Sequence, residues 1–292
     1  MPNKFVILSS AFNEEQHIER TLKSVIKQSV MPLEWIIIDD GSTDKTSKII
    51  SKYAAVYSWI KFFTVEKTKV EFGTHAVVNF YKGYERIENS DWDFIIKLDT
   101  DLDIDRIDFF EFQLNKFREQ PTLGISSGIT YSLDGGNKIL TKGRPYWRTG
   151  GAMKFYRKEC LDQIGGLKPI YGWDGLDEYQ AMFHGWKTRT LFELEVNHLG
   201  KKRALSREKK ADLIYSRGKS FYLRGYPLEF IILTTIKFLF LKNPSHAIHF
   251  FIGFYHSKKK KAKRVVSKNE IQFIHKIQYI RLLDKLTTKQ LL

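Results

Sequence analysis

The chain has 292 residues, 42% of them hydrophobic, a single cysteine and a formal net charge of +15. That length can bury a sizeable core, and the lone Cys160 excludes a disulfide framework or a cysteine zinc cluster. The charge is uneven: 22 Lys/Arg and 5 Asp/Glu lie from Val196 onward, against 26 and 28 before it, so a near-neutral body carries a basic tail.

The first segment, "MPNKFVILSSAFNEEQ", has too short an apolar run for a signal peptide. With the single thiol, it predicts a reducing, cytoplasmic setting. "KFVILSS" suits a buried strand, and "EEQHIERTLKSVIKQ" follows as a helix with Ile18, Leu22, Val25 and Ile26 at helical spacing. Asn13 is its expected N-cap, and two glutamates stand in its first turn. "EWIIIDD" is the next strand, and "DKTSKIISKYA" the next helix, with Ser42 or Thr43 near its cap. "IKFFTV" and "DFIIKLD" are further strands, separated by the helical "THAVVNFYKGYERI". Alternating continuous apolar strands and helices predict an α/β fold with a mainly parallel sheet covered on both faces.

Ligands of open parallel sheets bind outside the carboxyl ends of the strands. The unusual polar clusters fall there: Ser9 to Glu14, Asp39 to Asp44, and Asp99 to Asp105. In "IIKLDTDLDID", Asp99, Asp101, Asp103 and Asp105 occupy alternate positions, and such like charges crowd favourably around a cation. Asp99 and Asp101 suit Mg²⁺ or Mn²⁺ bridging carboxylates to a diphosphate. Taken alone, an Asp-x-Asp pair also serves as a cap or a solvated turn. Asp103 and Asp105 read as caps for a helix beginning near Ile107, and "DDGSTD" by itself reads as a turn. No dinucleotide-binding glycine fingerprint and no P-loop is present.

Together, "SSAFNEEQHIERTLKSVIKQSVMPLEWIIIDDGSTDKT", "LDTD" and "TGGAMKFYRKECLDQIGGL" resemble the family 2 glycosyltransferases, over roughly residues 4–200. The resemblance implies a GT-A (Rossmann-like) catalytic domain in residues 1–200 and inverting transfer from a nucleotide-sugar donor. Glu14 and Asp40, with Asp39, would hold the donor's base and ribose, and Ser9, Phe12, Lys97 and Asp99 would complete its site. Asp99 and Asp101 would hold Mn²⁺ or Mg²⁺, with His198 as a further ligand; a lone histidine after a strand is also commonly structural. The family's catalytic base stands about eleven residues before a Gly-aromatic pair. Counting back from Gly185-Trp186 reaches Asp174 in "GWDGLDEYQ", with Asp177 as the second candidate. The usual preceding glutamate is replaced by Trp173, which leaves the choice between them open. A carboxylate there would take the acceptor's proton while the metal neutralises the leaving diphosphate. Lys201, Lys202 and Arg203 could pair with donor phosphates or belong to the basic surface. The QxxRW motif of processive members is absent, which argues for addition of a single sugar; the expected setting is cell-envelope glycan biosynthesis.

Residues 201–292 read as a mostly helical, basic extension. The apolar run Phe230 to Leu241 is too short to span a bilayer and precedes "KKKKAKR". This pattern predicts peripheral attachment to an anionic membrane surface on its cytoplasmic face, where a glycan or lipid-linked acceptor would be met. The alternative is a core helix followed by a solvated charge run. Two other activities compete. A haloacid-dehalogenase-type phosphotransferase would use "LDTDLD" as its nucleophile loop, but Asp103 stands where Thr or Val belongs. Nucleic-acid binding by the tail lacks a supporting aromatic-glycine motif, zinc finger or helix-turn-helix. No nucleic-acid partner is expected, and the sequence leaves the oligomeric state open.

Overall fold

The structure, a computed structural model, describes residues 4–66, 70–141, 145–200, 206–241 and 243–287. The described residues divide into two compact units: one within 1–70, 75–167 and 184–202, the other within 71–74, 168–183 and 203–292.

The first unit is built on a mixed nine-stranded sheet. Strands β1 (Phe5–Ala11), β2 (Glu34–Asp39), β3 (Ile60–Thr64) and β4 (Phe94–Leu98) run parallel in the order β3-β2-β1-β4. The sheet continues through β8 (Met153–Arg157), β6 (Leu123–Asp134), β9 (Lys187–His198) and β5 (Leu102–Asp103), while β7 (Asn137–Leu140) forms a hairpin with β6. The α/β architecture expected from the sequence is present, with antiparallel pairing wherever β8 and β5 join.

Helices α1 (Ile18–Ile26), α2 (Thr46–Ala54), α3 (His75–Tyr84), α4 (Phe109–Glu119) and α5 (Lys158–Gln163) belong to this unit. Burial on both faces explains the unbroken apolar strands: Trp35, Ile36, Ile37 and Ile38 are all wholly buried. Phe5 and Ile7 join a core cluster with Leu22, Val25, Phe110 and Phe117. On the opposite face Gly83 of α3 lies against Leu8, Ile36 and Ile38, and a Cβ there would be 3.3 Å from a Leu8 methyl. Each such buried Leu, Ile or Phe contributes about 1.5–3 kcal/mol. The resulting core holds the β1, β2 and β4 termini on one edge.

Three capping expectations are corrected. α1 begins at Ile18, and Asn13 instead adopts φ 54°, a left-handed conformation that its short amide side chain tolerates. The N-cap position of α2 is Lys45, and Asp44 Oδ1 rather than Ser42 or Thr43 accepts from Thr46 N at 2.9 Å. Asp108 occupies the N-cap position of α4, because pairing with β9 draws Leu102 and Asp103 into the sheet.

The second unit is helical: α6 (Trp173–Phe183), α7 (Arg207–Leu223), α8 (Leu228–Leu241), α9 (Pro244–Lys259) and α10 (Lys268–Thr287). Ser206 caps α7 and Asn243 caps α9, whose Pro244 suits the first helical position. Phe221, Ile231, Phe238, Phe250 and Phe254 form its core. α7 and α9 touch backbone to backbone: a Cβ at Gly218 would lie 1.9 Å from Phe250 O, and one at Gly253 2.1 Å from Tyr215 O. α8 carries apolar residues on all sides, interrupted by Glu229, Thr234, Thr235 and Lys237. Ile231 and Phe238 face inward, and Ile232, Leu233, Ile236, Leu239 and Phe240 are exposed, as are Ile248, Phe251 and Tyr255 of α9. Among the described residues no helix is long and apolar enough to cross a membrane.

Candidate active site

The loops after β1 and β2 are stitched together. Asn13 N donates to Ser42 Oγ at 3.0 Å, Thr43 N donates to Asn13 Oδ1 at 2.8 Å, and Glu14 N donates to Thr46 Oγ1 at 2.8 Å. Asp39 is wholly buried and spends both oxygens on this turn, accepting from Ser42 N at 3.0 Å and from the Ser42 and Ser47 hydroxyls. Gly41, at φ 77°, allows the chain to reverse there.

Asp40 behaves differently. It is 5% exposed, and its Oδ1 has no hydrogen-bond partner among the described residues. His75 Nδ1 and Lys82 Nζ, both on α3, each approach its carboxylate only to 3.7 Å. Asp40 N donates to Ala11 O at 2.9 Å, and Phe12 and Glu14, in the loop that follows Ala11, are partly exposed. Ser9 lies below the surface, accepting from Trp35 Nε1 at 2.9 Å. His75 and Lys82 were unassigned by sequence reasoning; their spacing of seven along α3 is the signal that puts them on one face.

At the β4 terminus the four alternate aspartates separate into two kinds. Asp103 accepts from Arg20 Nε at 2.6 Å, and Asp105 accepts from Tyr131 OH at 3.3 Å, so both serve the fold. Asp99 is paired with the buried Lys97, whose ammonium also donates to Gly151 O at 2.7 Å. Although 38% of the Asp99 side chain is open to solvent, enough protein surrounds the carboxyl to matter. Desolvation raises its pKa, Lys97 opposes that rise, and Asp101 adds to it.

Asp101 Oδ2 faces His198 Nε2 at 3.6 Å. The imidazole Nδ1 lies 3.1 Å from Gly200 O, so Nδ1–H donates to that carbonyl and Nε2 is the nitrogen turned toward Asp101. A carboxylate and an imidazole nitrogen facing each other are both groups that can ligate a cation. Gly200 makes the space: a Cβ there would lie 2.1 Å from Asp101 Oδ2 and 3.4 Å from His198 Cε1. Among the described residues no three His, Cys, Asp or Glu side chains stand together at ligating distance. The Asp101–His198 pair with Asp99 nearby suits a hard divalent ion that takes few protein ligands and completes its shell with phosphate oxygens. Gly200, like His75, was not singled out from sequence, because a glycine that makes room for a side chain has no local pattern.

In the second unit, Asp174 sits partly exposed in the first turn of α6, where the helix N-terminus favours a carboxylate. Asp177 is 2% exposed and accepts from Glu178 N at 2.7 Å. α6 is held against α10 by Gln180 Nε2, which donates to Glu270 Oε1 at 2.8 Å, and by Tyr179 OH, which accepts from Gln278 Nε2 at 2.8 Å. Lys201, Lys202 and Arg203 lie outside the described residues.

Comparison with solved structures places this fold among known ones. A mannosyltransferase from Pyrobaculum calidifontis, solved with GDP-Man and Mn²⁺, has a TM-score of 0.57 at 14% identity, over 99% of this chain and 83% of that one. Staphylococcus aureus TarS residues 1–349, solved with UDP-GlcNAc, has a TM-score of 0.54 at 18% identity, over 97% and 80%. Among curated proteins, chondroitin synthase of Escherichia coli is 26% identical over 133 residues, 46% of this chain and 18% of that protein. Poly-beta-1,6-N-acetyl-D-glucosamine synthase of Staphylococcus epidermidis is 31% identical over 121 residues, 41% and 27% respectively. The match therefore spans well under a third of either protein's length. Residues 6–171, more than half of the chain, match one family along their whole stretch, and the chain belongs to glycosyl transferase family 2.

Proposed function

We propose that the chain is a metal-dependent, inverting glycosyltransferase that moves a single hexosyl or related sugar from a nucleoside diphosphate donor to a hydroxyl of a glycan or lipid-linked acceptor. The observation that carries this reading is the Asp101–His198 pair opened by Gly200, on the same sheet edge as the unsatisfied Asp40 carboxylate. Structural neighbours solved with GDP-Man and Mn²⁺, and with UDP-GlcNAc, support a nucleotide-sugar donor.

In this reading Asp40 accepts an N–H of the donor's base, with Phe12 and Glu14 beside it and Asp39 and Ser9 shaping the pocket from beneath. Asp101 and His198 hold Mn²⁺ or Mg²⁺, with Asp99 as a nearby third group oriented by Lys97. When bound, the ion neutralises the charge that gathers on the leaving diphosphate. Asp174 takes the proton from the acceptor hydroxyl as its oxygen attacks the anomeric carbon from the side opposite the leaving group, which inverts the configuration. The exposure of Asp174 and the burial of Asp177 support that assignment, since a base must reach its substrate's proton.

The helices from α7 onward attach to an anionic membrane in this proposal. Exposed apolar side chains on α8 and α9 lead into Lys258, Lys259, Lys260, Lys261, Lys263 and Arg264, which suits an interfacial helix pair. The reading is tested by calorimetry of nucleoside diphosphates with and without Mn²⁺ or Mg²⁺, on wild type and Asp101→Ala. Metal-dependent binding of one nucleotide, lost in the variant, is expected. Equal binding with EDTA present would overturn the metal role.

A further inference from the structure

Among the described residues of the second unit, the clustered Arg217 and Arg224 have no carboxylate partner. Arg217 and Arg224 are seven residues apart at the C-terminal end of α7, about two helical turns, and so share a face. Both guanidinium carbons approach the same Phe221 ring, at 5.8 Å and 5.5 Å from its centroid. Phe238 also lies 5.3 Å from that of Arg217, and Tyr226 lies 4.9 Å from that of Arg224. Aromatic faces favour a cation but supply no acceptor in the guanidinium plane.

Arg224 is 6% exposed, its Nε has no hydrogen-bond partner among the described residues, and its Nη1 reaches Gly172 O only at 3.5 Å. Arg217 is partly open to solvent, and among the described residues neither arginine pairs with a carboxylate. Burial lowers the Arg217 pKa; Tyr171 and Tyr226 oppose that, and the positive charge of Arg224 reinforces it. Two neighbouring, desolvated cations are unfavourable until an anion joins them.

The position of this pair suggests what the anion belongs to. The Arg224 guanidinium lies flat against Gly172: a Cβ there would be 3.4–3.5 Å from its Nη1, Cζ and Nη2, and φ is +75°. Gly172 directly precedes Trp173 and Asp174 at the start of α6. We propose that Arg217 and Arg224 bind a phosphate group of the acceptor, so that the sugar is delivered to a hydroxyl carried close to a phosphoester. This inference rests on the reading of Asp174 as the base. Planar guanidinium forks match phosphate oxygens bidentately, and the two arginines together match its charge.

The test titrates methyl phosphate by calorimetry into the full chain with EDTA present, which silences metal-assisted diphosphate binding at Asp101. Saturable binding is expected in wild type and in Asp101→Ala, weakened about tenfold or more in Arg217→Gln and partly kept in Arg217→Lys. Arg217 is the partly exposed member, so its variants keep the fold; Arg224→Gln is the second variant, with circular dichroism as its folding check. Equal binding to wild type and Arg217→Gln overturns the proposal. With the donor identified, a phosphorylated glycoside acceptor should be preferred over its neutral parent through KM, and that preference should vanish in Arg217→Gln. No preference in wild type overturns the acceptor role.

Retention on phosphatidylglycerol vesicles separates a lipid headgroup from the acceptor. Wild-type retention of Arg217→Gln supports the acceptor, and lost retention with methyl phosphate binding unchanged overturns it. A chain that binds methyl phosphate through these arginines yet transfers no sugar would refute the proposed activity while leaving the oxyanion site standing.

Discussion

Replacing Gly200 by alanine perturbs the proposed metal pair without removing any ligand. The added Cβ would lie 2.1 Å from Asp101 Oδ2, whereas even a tight Cβ contact is no closer than 3.0 Å, so the carboxylate must move by about 1 Å. Ligand oxygens hold a divalent ion within about 0.2 Å of their preferred distance, so this shift is several times what the bond tolerates. Disturbing such supporting positions costs about 10–100-fold in metal affinity, or about 1.4–2.8 kcal/mol. The clash is with the far end of a partly exposed side chain, and Gly200 has no left-handed φ to preserve. The unfolding midpoint should therefore move by no more than about 2 °C. Free Mn²⁺ followed by electron paramagnetic resonance during titration gives the affinity, and calorimetry with the nucleoside diphosphate gives the coupled loss. Gly200→Ala should resemble Asp101→Ala in both. A Gly200→Ala chain that binds Mn²⁺ and nucleotide like wild type would refute the assignment of the ion to Asp101 and His198.

Three further outcomes are expected. Gly253→Ala drives a Cβ to 2.1 Å from Tyr215 O and 2.9 Å from its carbonyl carbon, so α7 and α9 must separate. Such overpacking costs about 1–3 kcal/mol and should appear as faster hydrogen exchange in those two helices while β1 and β4 stay protected. Arg106 Nε and Nη2 donate to the two Asp108 oxygens at 2.6 and 2.7 Å, and this pairing holds the carboxyl below its ordinary pKa. A depressed carboxylate contributes stability above its unfolded pKa and loses it as pH falls through the folded value. Asp108→Asn should accordingly lower the melting midpoint slightly at pH 7, with the difference fading below about pH 3.9. Phe240 is 76% exposed on α8, and Phe240→Asp should weaken co-sedimentation with anionic vesicles, whereas Val56→Asp, equally exposed at 70% but in the first unit, should not.

The strands and helices of the first half were legible because each is announced by a local pattern, apolar runs for β1, β2 and β4 and a spacing of three and four for α1. The convergence of polar clusters on one sheet edge followed from the parallel topology alone. What stayed hidden depends on distant partners. Asp103 looked like a cap because its local context is a turn, yet Arg20, 83 residues earlier, takes its charge. β5 exists only because β9 offers it an edge, with Leu102 paired to His198. The grouping of α6 with the helices after residue 203, rather than with the sheet, likewise follows from contacts to α10 that no spacing along α6 reveals.

The acidic clusters divide by a common logic. After β2, Asp39 turns both oxygens inward to shape the loop, while its neighbour Asp40 keeps a buried oxygen without a donor. After β4, Asp103 and Asp105 are spent on Arg20 and Tyr131, while Asp101 faces His198 Nε2 across a gap that Gly200 keeps open. A carboxylate left unsatisfied in a buried place costs about 1–3 kcal/mol, so a chain chosen for stability alone would fill or neutralise it. At both strand ends aspartates spent on the protein's own donors stand beside one that stays incompletely paired. Arg217 and Arg224 repeat that arrangement with the opposite sign, their rings of aromatic support holding positive charge that no carboxylate among the described residues neutralises. In the proposed function, the incompletely paired aspartates of the sheet edge would serve a donor that brings N–H groups and a cation, and the arginines near Gly172 an acceptor that brings an oxyanion.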